Sequence, residues 1–248
     1  MSGRESRLII AHRGDKVLAP ENTIAAARLA LRQGATGLEV DVRTCGSGEV
    51  VLMHDMILNR HFGVRRLVGN TSLAELRAQQ FSARLYPYLD RVATLDEFFE
   101  EFRHTVPINL DAKSMTPANQ AFARQLVRII ESHGVQDQVW ISSFNPFLLR
   151  SLKRLRSGIR TGYLFQDPLN FYRLIDVFLE SDDWHPHFKN VSEWFVDKAR
   201  RLQKGLYVWT VNDRDVWERL KDVDIDGVIT DVFFRRRPLE VGGAERER

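Results

Sequence analysis

Nine short apolar runs, most followed by an amphipathic stretch, constrain what this chain can fold into more than any other feature. The runs fall at residues 7–11, 38–42, 50–54, 106–110, 139–143, 161–165, 184–187, 207–211 and 227–230. Between them, apolar residues recur at helical spacing. Ile24, Ala27 and Leu31 mark a helix over 22–33 that stops at Gly34. Phe122, Leu126, Ile129 and Ile130 mark another, opened by Thr116-Pro117 and closed at Gly134. Asn145-Pro146 starts a third, and Phe195, Ala199 and Leu202 line a fourth. Parallel strands need crossovers, and a helix is the usual one, so this alternation predicts parallel β/α units. The expected fold is α/β: a distorted (β/α)8 TIM barrel with one of the nine strands outside it. With 248 residues, 44% of them hydrophobic, the chain is expected to form one domain over 1–248, with a flexible tail at 239–248.

One connection is too short for a crossover. Only eight residues separate Asp41 from Val50, and Cys45-Gly46-Ser47-Gly48 within them reads as a hairpin turn. A turn centred near Ser47 places Asp41 opposite His54. Glu39 and Asp41 share a strand face by the period of two, and His54 is expected on that face. Residues 58–90, rich in Arg, Gly and Tyr, are expected to form a small insertion after the third strand with a helix at 73–80.

The polar residues at the expected strand ends carry the chemistry. His12-Arg13-Gly14, Pro20-Glu21-Asn22-Thr23, Glu39-Val40-Asp41, His54-Asp55 and Asn109-Leu110-Asp111-Ala112-Lys113 supply two imidazoles, three metal-suited carboxylates and two cations. Two carboxylates at i and i+2 on one strand repel unless a cation lies between them, so Glu39 and Asp41 are metal-ligand candidates, with Asp111 as the third. Oxygen ligands alone favour Mg²⁺ or Ca²⁺ over zinc. His12 and His54 form an acid/base pair, since imidazole titrates near neutrality. Arg13 and Lys113 suit a phosphate. Glu21 and Asn22 are expected behind these groups, orienting His12 or a metal-bound water while Asn22-Thr23 caps the following helix.

In this set and order the motifs resemble the glycerophosphodiester phosphodiesterases, and the likeness continues through Ile141-Ser142-Ser143-Phe144, His185-Pro186, Trp209-Thr210-Val211-Asn212 and Asp226-Gly227-Val228-Ile229-Thr230-Asp231. The resemblance implies the barrel fold, an insertion over the site mouth and catalytic roles for both histidines. It also implies metal-dependent hydrolysis of a glycerophosphodiester to sn-glycerol 3-phosphate and an alcohol. Trp209 and Phe144 become candidate walls for the glycerol end of the substrate. The family usually has glutamate where this chain has Asp111.

Composition narrows the alternatives. The 36 basic and 33 acidic side chains leave a net charge of only +3, and no basic stripe interleaves with aromatics, so nucleic acid is not an expected partner. No apolar run approaches the ~20 residues of a membrane span, and the single Cys45 leaves no internal disulfide; a cytoplasmic setting is expected. Two other readings stand beside hydrolysis of soluble diesters. Phe62, Phe81, Tyr86 and Tyr88 of the insertion would admit an acyl chain, making the protein a lysophospholipase D. Alternatively, Asp111 marks a catalytically degenerate phosphodiester-binding protein.

Overall fold

Strand pairing in the computed structural model runs in a closed ring, built on residues 7–233 with 82–84, 89, 115, 117–118, 156, 167–175 and 177 outside the description. The ring is β1 (Leu8–His12), β2 (Gly37–Thr44), β4 (Ile108–Ala112), β5 (Val139–Ser143), β6 (Arg160–Phe165), β7 (Asp183–Pro186), β8 (Gly205–Val208) and β9 (Gly227–Thr230), all parallel. β9 closes it by pairing with β1, Ile10 against Ile229 and Ala11 against Thr230. The strand outside the ring is β3 (Val50–Leu52), antiparallel to β2. The expected segment 184–187 is therefore a true barrel strand. The strand expected at 106–110 begins two residues later, because Pro107 has no N–H to donate and laddering starts with the Ile108 amide on Gln138 O. The strand expected at 207–211 begins instead at Gly205, which pairs with Asp183.

The helices follow their predicted caps with small corrections. Helix α1 (Ile24–Arg32) is capped by the Thr23 hydroxyl accepting from the Ala26 amide, so Thr23 alone fills the role expected of Asn22-Thr23. Helix α5 (Gln120–Ser132) is capped by Asn119 rather than Thr116, and Pro117 lies outside the described residues. Helix α6 (Pro146–Arg154) opens on Asn145 with proline in its first turn, as the sequence predicts. Residues 1–6 and the expected tail at 239–248 also lie outside the description. Among the described residues no helix is long and apolar enough to cross a membrane.

Of the separate hydrophobic cores among the described residues, two carry the fold around the site. The main one lies between the barrel wall and its helices, with Leu38, Phe98, Phe99, Leu110, Leu126 and Trp184 among its members. The second joins the hairpin to the insertion: Cys45, Val51 and Met53 pack with Leu58, Val68, Leu76, Phe81 and Val92. Within the insertion are α2 (Asn59–Phe62) and α3 (Leu73–Ala78), the latter held by a capping box of Ser72 and Glu75. Phe62 and Phe81 pack against each other at 4.9 Å between ring centroids, and Phe81 is buried. These two rings therefore build the insertion's own core and do not line a path for an acyl chain.

Candidate active site

Register places the carboxylates. Glu39 of β2 pairs with His12 of β1 on one side and Asn109 of β4 on the other, and Asp41 pairs with Asp111. Side chains two residues apart share a face, so the β2 pair and Asp111 converge at the C-terminal mouth of the barrel. One oxygen from each of Glu39, Asp41 and Asp111 lies within 4.8 Å of the others, and all three residues are buried. The hairpin forms with its turn at Ser47, but its register is Val42 with Leu52. Asp41 consequently lies opposite Met53, whose amide donates to the Asp41 carbonyl, and not opposite His54. His54 reaches the site from just beyond β3 instead.

A cavity of about 300 Å³ opens here, lined by His12, Arg13, Glu39, His54, Asp111 and Lys113 together with Phe144 and Trp209. Phe144 is half exposed, stands edge-on to Trp209 at 5.5 Å, and has the Lys113 ammonium 5.8 Å above its ring. Trp209 is fixed by its indole N–H donating to the His185 carbonyl at 2.7 Å.

The cations are matched to the acids. Lys113 Nζ lies 2.5 Å from Asp111 and 3.0 Å from Asp41. Arg13 Nε lies 2.8 Å from Asp41, and its Nη1 lies 3.1 Å from Glu21. Burial pushes the Asp41 carboxyl up, but Lys113 and Arg13 outweigh it and hold the group down at about 2. Glu39 is driven well above the usual carboxylate range, first by desolvation and then by Asp41 and Asp111. With all three ionised the buried carboxylates would outnumber the two cations by one, the repulsion that raises Glu39, and the buried Asp111 Oδ1 has no hydrogen-bond partner. That donor set and its uncompensated charge fit a hard divalent cation.

The backbone at His12-Arg13-Gly14 is shaped for this task. Arg13 and Gly14 both have positive φ, 64° and 82°, and a Cβ on Gly14 would meet the Ala26 carbonyl carbon at 2.5 Å. Only glycine lets α1 press this closely on the turn that aims Arg13 inward. Asn22 has positive φ too, and its amide makes two 2.9 Å hydrogen bonds with Asp41, accepting from the backbone N–H and donating to Oδ2. It thus orients Asp41, while Glu21 binds Arg13 and the insertion rather than His12.

Each histidine is held by a carboxylate through Nδ1. His54 Nδ1 is 2.8 Å from Asp55 Oδ1, and His12 Nδ1 is 2.6 Å from Asp231 Oδ1. Both rings thereby present Nε2 as their free nitrogen. Burial lowers the proton affinity of His12, the Asp231 hydrogen bond opposing it only in part. Asp231 is itself anchored by Lys16 Nζ at 2.7 Å and the Asn212 side-chain amide at 2.8 Å, and His12 and Lys16 hold its carboxyl far below the usual range against the pull of burial. Sequence reading names Asp231 only as the end of the last motif, with no role at the site, and passes over Lys16. The signal that would find them is the ring closure between β1 and β9.

A parallel eight-stranded barrel with a carboxylate cluster and paired imidazoles at its C-terminal mouth defines a class of hydrolytic site. The glycerophosphoryl diester phosphodiesterase family matches residues 12–233, so the chain belongs to that family and is an enzyme of the phosphodiesterase class. A glycerophosphodiester phosphodiesterase of Caldanaerobacter subterraneus is 30% identical over 227 residues, 90% of this chain and 93% of the relative. A Mycobacterium tuberculosis protein named probable glycerophosphodiester phosphodiesterase 1 is 43% identical over 236 residues, 88% of this chain and 86% of its own length. Among solved structures, an Oleispira antarctica phosphodiesterase in complex with the product sn-glycerol-3-phosphate superposes with a TM-score of 0.81 at 28% identity, covering 90% of this chain and 92% of that one.

Proposed function

We propose that this chain hydrolyses glycerophosphodiesters to sn-glycerol 3-phosphate and an alcohol, with a divalent cation, Mg²⁺ or Ca²⁺, held by Glu39, Asp41 and Asp111. The observation that carries the reading is the convergence, around one cavity, of an undercompensated carboxylate triad and two aspartate-held histidines. The product bound by the Oleispira antarctica relative supports the substrate class. When bound, the cation supplies positive charge to the phosphoryl oxygens as they gain negative charge. Arg13 and Lys113 orient the phosphate and share that stabilisation. One imidazole takes the proton of the attacking hydroxyl and the other returns one to the leaving alkoxide. Burial lowers the proton affinity of His12 and so favours its neutral form, which suits it as the acceptor and leaves His54, at the more exposed rim, as the donor. Phe144 and Trp209 wall the glycerol end. The single cysteine supports a reducing, cytoplasmic setting.

A second substrate reading has its own support. Met56 and Ile57 after β3 are exposed, as are Leu85 and Tyr88 of the insertion and Phe144 and Phe147 after β5. These apolar groups, on loops and in the first turn of α6, would suit an acylated glycerophosphodiester, the lysophospholipase D activity.

Both readings are tested by choline release from glycerophosphocholine, which leaves sn-glycerol 3-phosphate, and from lysophosphatidylcholine, which leaves its acylated form, with EDTA and after restoring Mg²⁺ or Ca²⁺. Metal-restored turnover that is lost in His12→Ala and Glu39→Ala is the expected result, and faster release from the acylated substrate would establish the second reading. Binding of sn-glycerol 3-phosphate without turnover under either metal would overturn both.

A further inference from the structure

Arg60 lies on the insertion, outside every motif the sequence singles out, yet its guanidinium touches both halves of the site. Its Nε is 2.5 Å from Asp55 Oδ2, whose other oxygen holds His54. Its Nη1 and Nη2 are 3.0 and 2.5 Å from the two oxygens of Glu21, whose Oε1 also accepts from Arg13 at 3.1 Å. We propose that Arg60 is a positioning residue that fixes the His54 ring and the Arg13 guanidinium relative to each other by bridging Asp55 and Glu21. The assignment rests on the hydrolytic reading given above.

Exposed ion pairs usually contribute about 0–1 kcal/mol and do little else. This one differs in its acceptor. The Glu21 side chain is only 9% exposed, and His61 of the same short helix approaches it at 3.5 Å. Another pair of the insertion, Arg66 with Glu75, is about half exposed on both sides and touches no site residue. Planarity matters as well. A guanidinium meets three oxygens on two carboxylates in one plane, whereas an ammonium at the same place is a point charge that cannot span them.

The position of Arg60 is set by the insertion rather than by the barrel. Leu58, just before it, is buried in the second core with Val68 and Phe81. Without Arg60, Glu21 would rest its charge on Arg13 and His61 alone, drawing Arg13 from Asp41, and Asp55 would lose the contact that orients it toward His54. The His12 dyad is built differently. Asp231 is held by Lys16 and Asn212, and neither belongs to the insertion. Arg60 therefore acts on one histidine and not on the other.

The test pairs kinetics with ¹⁵N NMR of the histidine rings in the full chain. Arg60→Ala and Arg60→Lys are expected to lower kcat/KM for a glycerophosphodiester by about 10–100-fold, the usual loss when a supporting partner is removed. Arg66→Ala serves as the control and keeps wild-type activity. The His54 ring resonances should move in both Arg60 variants while those of His12 stay, and added guanidinium should restore Arg60→Ala in rate and spectrum. An unmoved His54 resonance overturns the proposal, as does joint movement of both histidines with a fall in Tm, which would mark general loosening. Absence of turnover in the wild-type chain would instead sink the hydrolytic reading, and the His54 resonance would still decide the role of Arg60.

Discussion

The two mouths of the barrel both bury acid, but they use it differently. At the C-terminal mouth three carboxylates crowd within 4.8 Å of one another against two cations. At the N-terminal mouth Asp183 of β7 is fully buried and, among the described residues, meets one cation, Arg160 of β6, at 2.5 Å. Above Asp183, a Cβ on Gly205 would come within 2.2 Å of its Oδ1, so the neighbouring strand leaves room for that carboxylate alone. The N-terminal mouth also holds the larger hollow, about 860 Å³ against about 300 Å³, lined in part by Arg7, Trp140, Arg160, Tyr207 and Asp226. Size does not choose the site. Charge that outnumbers its partners does, because such an arrangement destabilises the fold and persists only when a ligand or a reaction uses it.

The contrast predicts that variants at the two ends move different observables. His12→Ala is expected to lower glycerol 3-phosphate release by about 10²–10⁴-fold, the usual worth of a general acid or base, with little change in Tm. Glu39→Gln should abolish turnover yet melt higher than wild type without metal, by about 1–2 kcal/mol, since it removes one of three mutually repelling carboxylates. A lower Tm in metal-free Glu39→Gln would show that the C-terminal cluster is structural and would erase the contrast.

Metal should invert that order. A cation that binds only the folded chain stabilises it by about 2.7 kcal/mol at a hundred times its Kd. The wild type is expected to gain Tm with Mg²⁺ or Ca²⁺ and to lose it with EDTA, while Glu39→Gln gains far less. Equal gains in both proteins would place the metal elsewhere.

How far each mouth was legible in the sequence depends on how far apart its residues lie along the chain. Strands β5 and β9 fall on their expected residues, and Glu39, Asp41 and Asp111 meet because neighbouring strands carry them in register. Local pattern fixes such contacts once the strands are parallel. Asp231 escaped because its link to His12 spans 219 residues and exists only when the ring closes. Arg60 escaped because a short helix in an irregular insertion has no periodicity to aim it. The expected partner of Asp41 is off by one residue, His54 for Met53, because a turn's centre must be known to half a residue before a register follows. Asp231→Asn tests this reading of distant partners. It should lower activity by about 10–100-fold, while Asn212→Ala, one step further from the ring, costs less.

The N-terminal mouth gives the smallest and most specific expectation. Asp183 has its carboxyl raised to about 6 because burial outweighs the attraction of Arg160, and its Oδ2 has no hydrogen-bond partner. The unfolded chain releases this proton near the ordinary aspartate value of ~3.9. Between these values the folded state holds a proton that the unfolded state has lost, so stability falls as pH rises from about 4 to about 6 and stays reduced above that. The loss attributable to this group is about 2–3 kcal/mol, at ~1.4 kcal/mol for each tenfold difference in proton affinity. Asp183→Asn should flatten the pH dependence of chemical denaturation across that window and leave turnover near the wild-type rate. An Asp183→Asn protein that keeps the wild-type slope would place the titration elsewhere. One that loses turnover without losing stability would mean that the two mouths are coupled through the barrel interior, where Trp140 Nε1 lies 3.3 Å from the buried His185 ring.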